Sequence, residues 1–157
     1  MSKHFNEYKQ LDLASINNEV LKWWEENKTF SRSLEVREGH PDFVFYEGPP
    51  SANGTPGIHH VMARTIKDLF CRYKTMQGFK VNRKAGWDTH GLPVELGVEK
   101  ALGIRKDDIG KKISIEEYNA LCKKDVMKYT DQWEKLTDIM GYWVDMSDPY
   151  ITYDNKY

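Results

Sequence analysis

The run Phe43-Val44-Phe45-Tyr46 opens directly into Glu47-Gly48-Pro49-Pro50-Ser51-Ala52-Asn53-Gly54-Thr55-Pro56-Gly57-Ile58-His59-His60, and a helical pattern follows at once. A strand, a Gly/Pro-rich turn and a helix start is an arrangement that aims backbone N–H groups at phosphate. The two histidines at the mouth of the turn add hydrogen-bond donors whose charge changes near neutral pH. Past the turn, Ile58, Val61, Met62, Thr65, Ile66, Leu69, Phe70, Tyr73 and Met76 recur at three- and four-residue steps, giving one apolar face. Arg64, Lys67, Asp68, Arg72 and Lys74 fall largely on the other face. Gly78 suits a C-terminal stop, where positive φ is common. Phe79-Lys80-Val81-Asn82 then alternates as a short strand does. Strand, loop, helix and strand together predict a right-handed βαβ crossover, with ligands bound beyond the carboxyl ends of parallel strands.

The segment after Asn82 reaches the same edge and reads Arg83-Lys84-Ala85-Gly86-Trp87-Asp88-Thr89-His90-Gly91-Leu92-Pro93-Val94-Glu95. Its two glycines and proline mark it as a loop. Asp88 can hold a ligand ammonium group through a charge-assisted hydrogen bond, or it can cap a turn while Trp87 fills the core. Composition alone favours the turn and the core.

These two blocks, Tyr46 to His60 and Gly86 to Glu95, resemble the isoleucyl-tRNA synthetases, a family of class I aminoacyl-tRNA synthetases with a Rossmann-type catalytic domain. The likeness runs from the first helix to Tyr142-Trp143-Val144-Asp145. The run Gly-Trp-Asp-Thr-His-Gly-Leu-Pro-Val-Glu carries most of its specificity, because valyl and leucyl enzymes differ there. The resemblance implies activation of L-isoleucine by ATP, with Mg²⁺ on the nucleotide, followed by transfer to tRNA(Ile). Under it, His60 and His59 are the catalytic contacts. Pro50, Asn53, Gly54 and Gly57 join them around ATP. Gly48, Pro49, Trp87 and Asp88 surround the amino acid, Asp88 taking its ammonium group.

One departure is plain. The family's usual His-Ile-Gly-His reads Gly57-Ile58-His59-His60 here. In the usual pattern the histidines, three residues apart, share a helix face, whereas adjacent residues lie roughly 100° apart and are expected to point in different directions. His60 therefore stands as the phosphate contact, and His59 is as readily a packing or solvent-facing residue. The chemistry needs no covalent intermediate: positioning and neutralisation of growing charge suffice. One methylene separates isoleucine from valine, worth only about 1–3 kcal/mol; the family meets this with an editing domain, which is not visible in this sequence.

The flanking pattern predicts scaffold. Leu13, Ile16, Val20, Trp23 and Trp24 suggest an N-terminal helix capped by Asp12. Asn27 to Pro41 reads as polar, with a turn at Gly39-His40-Pro41. Ala101 to Lys112 reads as a connection. Ser114 and Glu117 form a capping-box pattern that opens one long helix through Tyr118, Cys122, Val126, Tyr129, Trp133, Leu136 and Met140, stopped by Gly141. Its aromatic stripe is read as core. Asp148-Pro149-Tyr150 to Tyr157 reads as a break followed by the first turn of another helix.

The fold expected is α/β: the first half of a Rossmann-type nucleotide-binding domain with parallel strands, preceded by an N-terminal helix. Residues 1–42 form a helical extension and 43–157 a partial, truncated catalytic domain. The family's second, lysine-rich ATP motif is absent, so the chain is expected to be a piece of a longer, monomeric protein and inactive alone. A non-catalytic nucleotide- or tRNA-binding module, or a valyl- or leucyl-type synthetase, is the alternative.

A net charge of −1 over 157 residues gives no whole-chain electrostatic footprint for nucleic acid. The basic stretch from Arg64 to Lys84 is best explained as a solvated helix face. No apolar run approaches the ~20 residues of a membrane span and no secretory pattern follows Met1, so a cytoplasmic location is expected. Cys71 and Cys122 lack partners at zinc spacing, which argues for reduced thiols and against a metal site.

Overall fold

The computed structural model describes residues 10–157. Two parallel strands and six α-helices are formed there, an α/β arrangement. Helix α1 (Leu13–Glu26) begins where Asp12 accepts a hydrogen bond from Ser15 N–H at 3.1 Å, the cap its sequence signals. A short α2 (Thr29–Glu35) follows within the stretch expected to be merely polar. Lys28 takes φ +48° between them, so the chain turns without a glycine. Both helices reach the body through aromatic rings. Trp24 meets Trp143 edge-on at 5.4 Å, and the Arg72 guanidinium lies over both rings at 4.6 and 4.0 Å.

Phe43 to Tyr46 does not become a strand. One parallel bridge, Asp42 to Lys80, is all that forms there, with Phe43 N–H donating to Lys80 O and Lys80 N–H to Pro41 O. Beyond Phe43 the segment 44–46 makes no backbone pairing among the described residues, and a strand is defined by its neighbour rather than by its alternation. The crossover around helix α3 (Ile58–Met76) is thus reduced to that single bridge. Gly78 ends the helix region with φ +96°, as expected of it.

The strands form elsewhere. β1 (Lys84–Trp87) lies in the segment read as a loop, and β2 (Asp145–Ile151) runs into the segment from Asp148 read as a break and a new helix. They pair in parallel, Lys84 with Asp145, Gly86 with Tyr150 and Trp87 with Ile151. The register shifts between the first two pairs, where the extra residues of β2 include Pro149, a residue that sheets accept at irregularities. Gly86 allows the close approach: a Cβ there would lie 2.9 Å from Tyr150 O.

The connection between the strands holds α4 (Leu92–Leu102), a 3-10 turn (Lys106–Asp108), α5 (Ile115–Val126) and α6 (Thr130–Met140). Leu92 to Glu95 therefore opens a helix, with Pro93 in its first turn where a missing N–H costs nothing. The single long helix expected from Ser114 onward is two. Ser114 does cap the first, accepting from Glu117 N–H at 3.1 Å. The chain breaks at Met127–Tyr129, where Tyr129 N–H leaves helical pairing and donates to Ala52 O at 3.0 Å. The aromatic stripe is core as read: Tyr118 and Trp133 are buried.

Helix α3 is packed the opposite way from its hydropathy. Ile58, Met62, Ile66, Leu69, Phe70, Tyr73 and Met76 are all more than half exposed, while Arg64, Cys71 and Thr75 are buried. The basic stretch is accordingly no solvated face. Arg83 Nη1 binds Asp68 Oδ1 at 2.6 Å and Trp143 O at 3.1 Å, and Arg72 Nε binds Asp68 Oδ2 at 2.7 Å. Lys67 pairs with Glu47, and Arg64 Nη1 donates to Thr137 Oγ1 at 2.7 Å. Burial pulls the affinity of Arg64 and Arg83 for their protons below the usual arginine range, with Asp68 opposing that at Arg83. No helix among the described residues is long and apolar enough to cross a membrane.

Candidate functional site

The Gly/Pro turn is anchored from beneath. Ala52, Trp87 and Trp133 form a buried cluster. Trp133 Nε1 donates to Gly54 O at 2.9 Å, so α6 holds the turn by both ring and backbone. Ser51 Oγ donates to Asn53 Oδ1 at 3.0 Å within the turn. At its start, the Glu47 carboxylate is shared by Lys67 of α3 and by the Tyr142 hydroxyl. Burial first, then that hydrogen bond, pushes the Tyr142 phenol above its ordinary range.

Gly57 caps α3 in an extended conformation, and its N–H donates to His60 Nδ1 at 2.9 Å. That bond fixes the tautomer. A ring nitrogen facing an N–H must accept, which leaves the proton on Nε2. The His60 ring also meets Trp133 edge-on at 4.6 Å. Burial, then His59 and Arg64 nearby, lowers its pKa from 6.5. His60 is therefore a neutral donor at neutral pH, held by its own helix cap.

The two histidines do not diverge as adjacent helix positions suggest. Their ring centroids are 3.8 Å apart, because the exposed His59 side chain folds back over the helix start. A Cβ on Gly57 would lie 3.0 Å from His59 Cε1. The ring of His59 thus occupies space that a side chain at position 57 would need, and the exchange of glycine and histidine between these positions is sterically self-consistent.

The second block meets the first directly. Asp88 N–H donates to Pro50 O at 2.9 Å, and a Cβ on Gly86 would lie 3.2 Å from Pro49 Cβ. Pro49, Pro50, Gly86 and Asp88 thus form one continuous wall. Trp87 lies behind it in the core, where it supports the wall, and Asp88 is exposed in front. Gly48 is exposed beside the wall, with nothing within 4 Å of where its Cβ would be. Behind Trp87 only about 20 Å³ of void remains, beside Glu47, Arg64 and Tyr142. The larger recesses, about 610 Å³ between α1, α2 and the end of α6, about 520 Å³ between α1, α2 and α3, and about 380 and 370 Å³ between α4 and α5, lie outside this wall. No group of three or more His, Cys, Asp or Glu able to hold a metal ion occurs among the described residues, and Cys71 and Cys122 are free thiols.

Sequence reasoning missed Glu47, Trp133 and Tyr142. The signal for Trp133 was its burial-type spacing on α6; Glu47 and Tyr142 meet only through the tertiary fold. What the arrangement offers chemically is a helix N-terminus with a neutral imidazole donor, beside a backbone wall that ends in a free carboxylate.

The family model for tRNA synthetases class I (I, L, M and V) matches residues 19–157. Isoleucine--tRNA ligase of Bacteroides thetaiotaomicron is 71% identical over all 157 residues, as is that of Porphyromonas gingivalis, and the chain covers 14% of each. That of Streptomyces coelicolor is 55% identical over 149 residues, 94% of this chain and 14% of its own. The chain thus spans about one seventh of the length of these curated relatives. With its turn, its helix start and its Asp88 block joined at one edge, the chain belongs to the class I tRNA synthetases of the isoleucine, leucine, methionine and valine group.

Proposed function

We propose that in the complete protein this chain supplies the first ATP motif and the amino-acid wall of an isoleucine–tRNA ligase with a Rossmann-type catalytic domain. The observation that carries the reading is the Pro50–Asp88 hydrogen bond, which joins the two motif blocks into one surface. Isoleucine lies against Gly48, Pro49 and Pro50, with its ammonium group on Asp88 and Trp87 bracing the wall from behind. Its carboxylate attacks the α-phosphorus of ATP, and pyrophosphate leaves. His60 donates from Nε2 to a phosphate oxygen, and the first amides of α3 add their dipoles where negative charge grows. Asn53, Gly54 and Gly57 shape the nucleotide side, and His59 stands beside His60 over the helix start. Mg²⁺ arrives with ATP as part of the substrate. The isoleucyl group then passes to the terminal adenosine of tRNA(Ile).

Isoleucine-dependent ATP–pyrophosphate exchange by the complete protein tests this. Asp88→Asn is expected to raise KM for isoleucine, because a charge-assisted bond is worth about twice a neutral one. His60→Ala is expected to lower kcat by roughly a hundredfold, the scale of losing one transition-state donor. Residues 1–157 alone are expected to show no exchange. An unchanged rate in His60→Ala, with exchange abolished in His59→Ala, would reverse the roles of the two histidines.

A further inference from the structure

Thr152, the residue after β2, is engaged on every polar atom that faces the Asp88 block. Its N–H donates to Trp87 O at 3.3 Å, carrying the parallel ladder one residue past the strand. Its hydroxyl oxygen lies 2.9 Å from Thr89 N, 2.7 Å from Thr89 Oγ1 and 2.9 Å from His90 Nδ1. A hydroxyl has one proton and two lone pairs, so these three neighbours saturate it. The Thr89 N–H fills one lone pair. Thr89 Oγ1 and His90 Nδ1 share the other lone pair and the proton, whichever of them donates.

Asp88 sits inside this clasp and is not part of it. Trp87 on one side and Thr89 and His90 on the other are bound to Thr152. Asp88 itself is bound to Pro50 through its N–H, and its Oδ1 accepts only a long contact of 3.4 Å from His90 N–H. Its carboxylate is exposed, while Thr89 is buried. The aim of the free carboxylate is therefore set by the backbone around it; Pro50 and the Thr152 N–H hold that backbone up to Asp88, and the Thr152 hydroxyl holds it beyond, at Thr89 and His90.

We propose that Thr152 is a positioning residue for the substrate ammonium group, holding the Asp88 carboxylate in its binding geometry through Thr89 and His90. This rests on the reading of Asp88 as the ammonium ligand. Valine matches threonine in shape and lacks the hydroxyl, so Thr152→Val leaves the buried Thr89 N–H without an acceptor and frees the loop. A ligand group displaced by about an ångström costs up to a hundredfold.

The test is isoleucine-dependent ATP–pyrophosphate exchange by the complete protein, with KM for isoleucine and for ATP measured separately. Thr152→Val is expected to raise KM for isoleucine by roughly tenfold or more while KM for ATP stays within about twofold, and Thr152→Ser is expected to restore the wild-type value. A merely structural role would move both constants together or lower the amount of active enzyme without changing either. Should the valine variant fail to fold, Thr152→Ala, which removes the hydroxyl without adding bulk, is read by the same criterion. Equal shifts in the two KM values, no shift in either, or a serine variant no better than valine would overturn the proposal. Failure of the underlying reading looks different: Asp88→Asn would leave KM for isoleucine unchanged, and the Thr152 proposal would fall with it.

Discussion

Its surroundings at the start of α3 keep His60 neutral. Burial opposes protonation most, His59 and Arg64 add to it, and the Gly57 N–H directed at Nδ1 would face a second donor if that nitrogen took a proton. The folded-state pKa therefore lies below the unfolded value of 6.5. Between the two values the unfolded chain binds more protons than the folded one, so stability rises with pH across that window. The contribution is fully present above the unfolded pKa and is lost as pH falls below it. Urea unfolding at about pH 7.5 and about pH 5.5 checks this. The midpoint of the wild-type protein is expected to drop further on acidification than that of His60→Gln, which cannot be protonated; equal drops would show that His60 does not carry the effect.

At the scale of elements, Gly86 is the point where three segments close on one another. A methyl group at this position meets Tyr150 O at 2.9 Å and both Pro49 Cβ and Tyr150 Cβ at 3.2 Å, so either β2 or the Pro49 wall must move. Gly86→Ala is expected to cost about 1–3 kcal/mol, the usual cost of overpacking, read from the urea midpoint. In the complete protein it is expected to raise KM for isoleucine as well. That glycine also shows what a local pattern hides. A glycine in a strand marks close backbone approach, but in Lys84–Trp87 it reads as a loop signal, because the partner strand lies some sixty residues on, beyond any local pattern. Signals completed within a few residues were legible: Asp12, Gly78 and Ser114 all do what their positions foretold. The break at Met127–Tyr129 was not, since only the meeting of Tyr129 with Ala52 requires it. The site followed the same division. The turn and Asp88 were readable as motifs, whereas the hydrogen bonds that join them, and the Glu47 and Tyr142 supports, depend on contacts across the fold.

Over the whole molecule, α3 has the largest consequence. Its spacing correctly gave an apolar face, but spacing does not say which face a fold buries. Here the charged side packs inward and the apolar side stays bare, with Ile58 at 73%, Leu69 at 64% and Met76 at 75% exposed. Contiguous exposed apolar surface of this kind promotes association. Residues 1–157 are accordingly expected to self-associate in a concentration-dependent way, and the double variant Met62→Gln, Leu69→Gln to do so less in sedimentation velocity. That variant is expected to change the unfolding free energy by no more than about 0.5 kcal/mol, as for surface positions generally. Asp68→Leu is the converse. It adds an apolar side chain and is expected to cost about 3 kcal/mol, because it strands Arg83, whose side chain is only 2% exposed.

The same pairing limits how the protein can change over generations. Asp68 answers to Arg83 and Arg72 together, and Arg83 also reaches Trp143 O. Removing any one of these three side chains breaks a bond that another of them makes, so substitutions at these positions are expected to be coupled. Among descendants of this chain, residues 68, 72 and 83 should vary as a correlated group. The bare positions of the same helix are free of that particular bond.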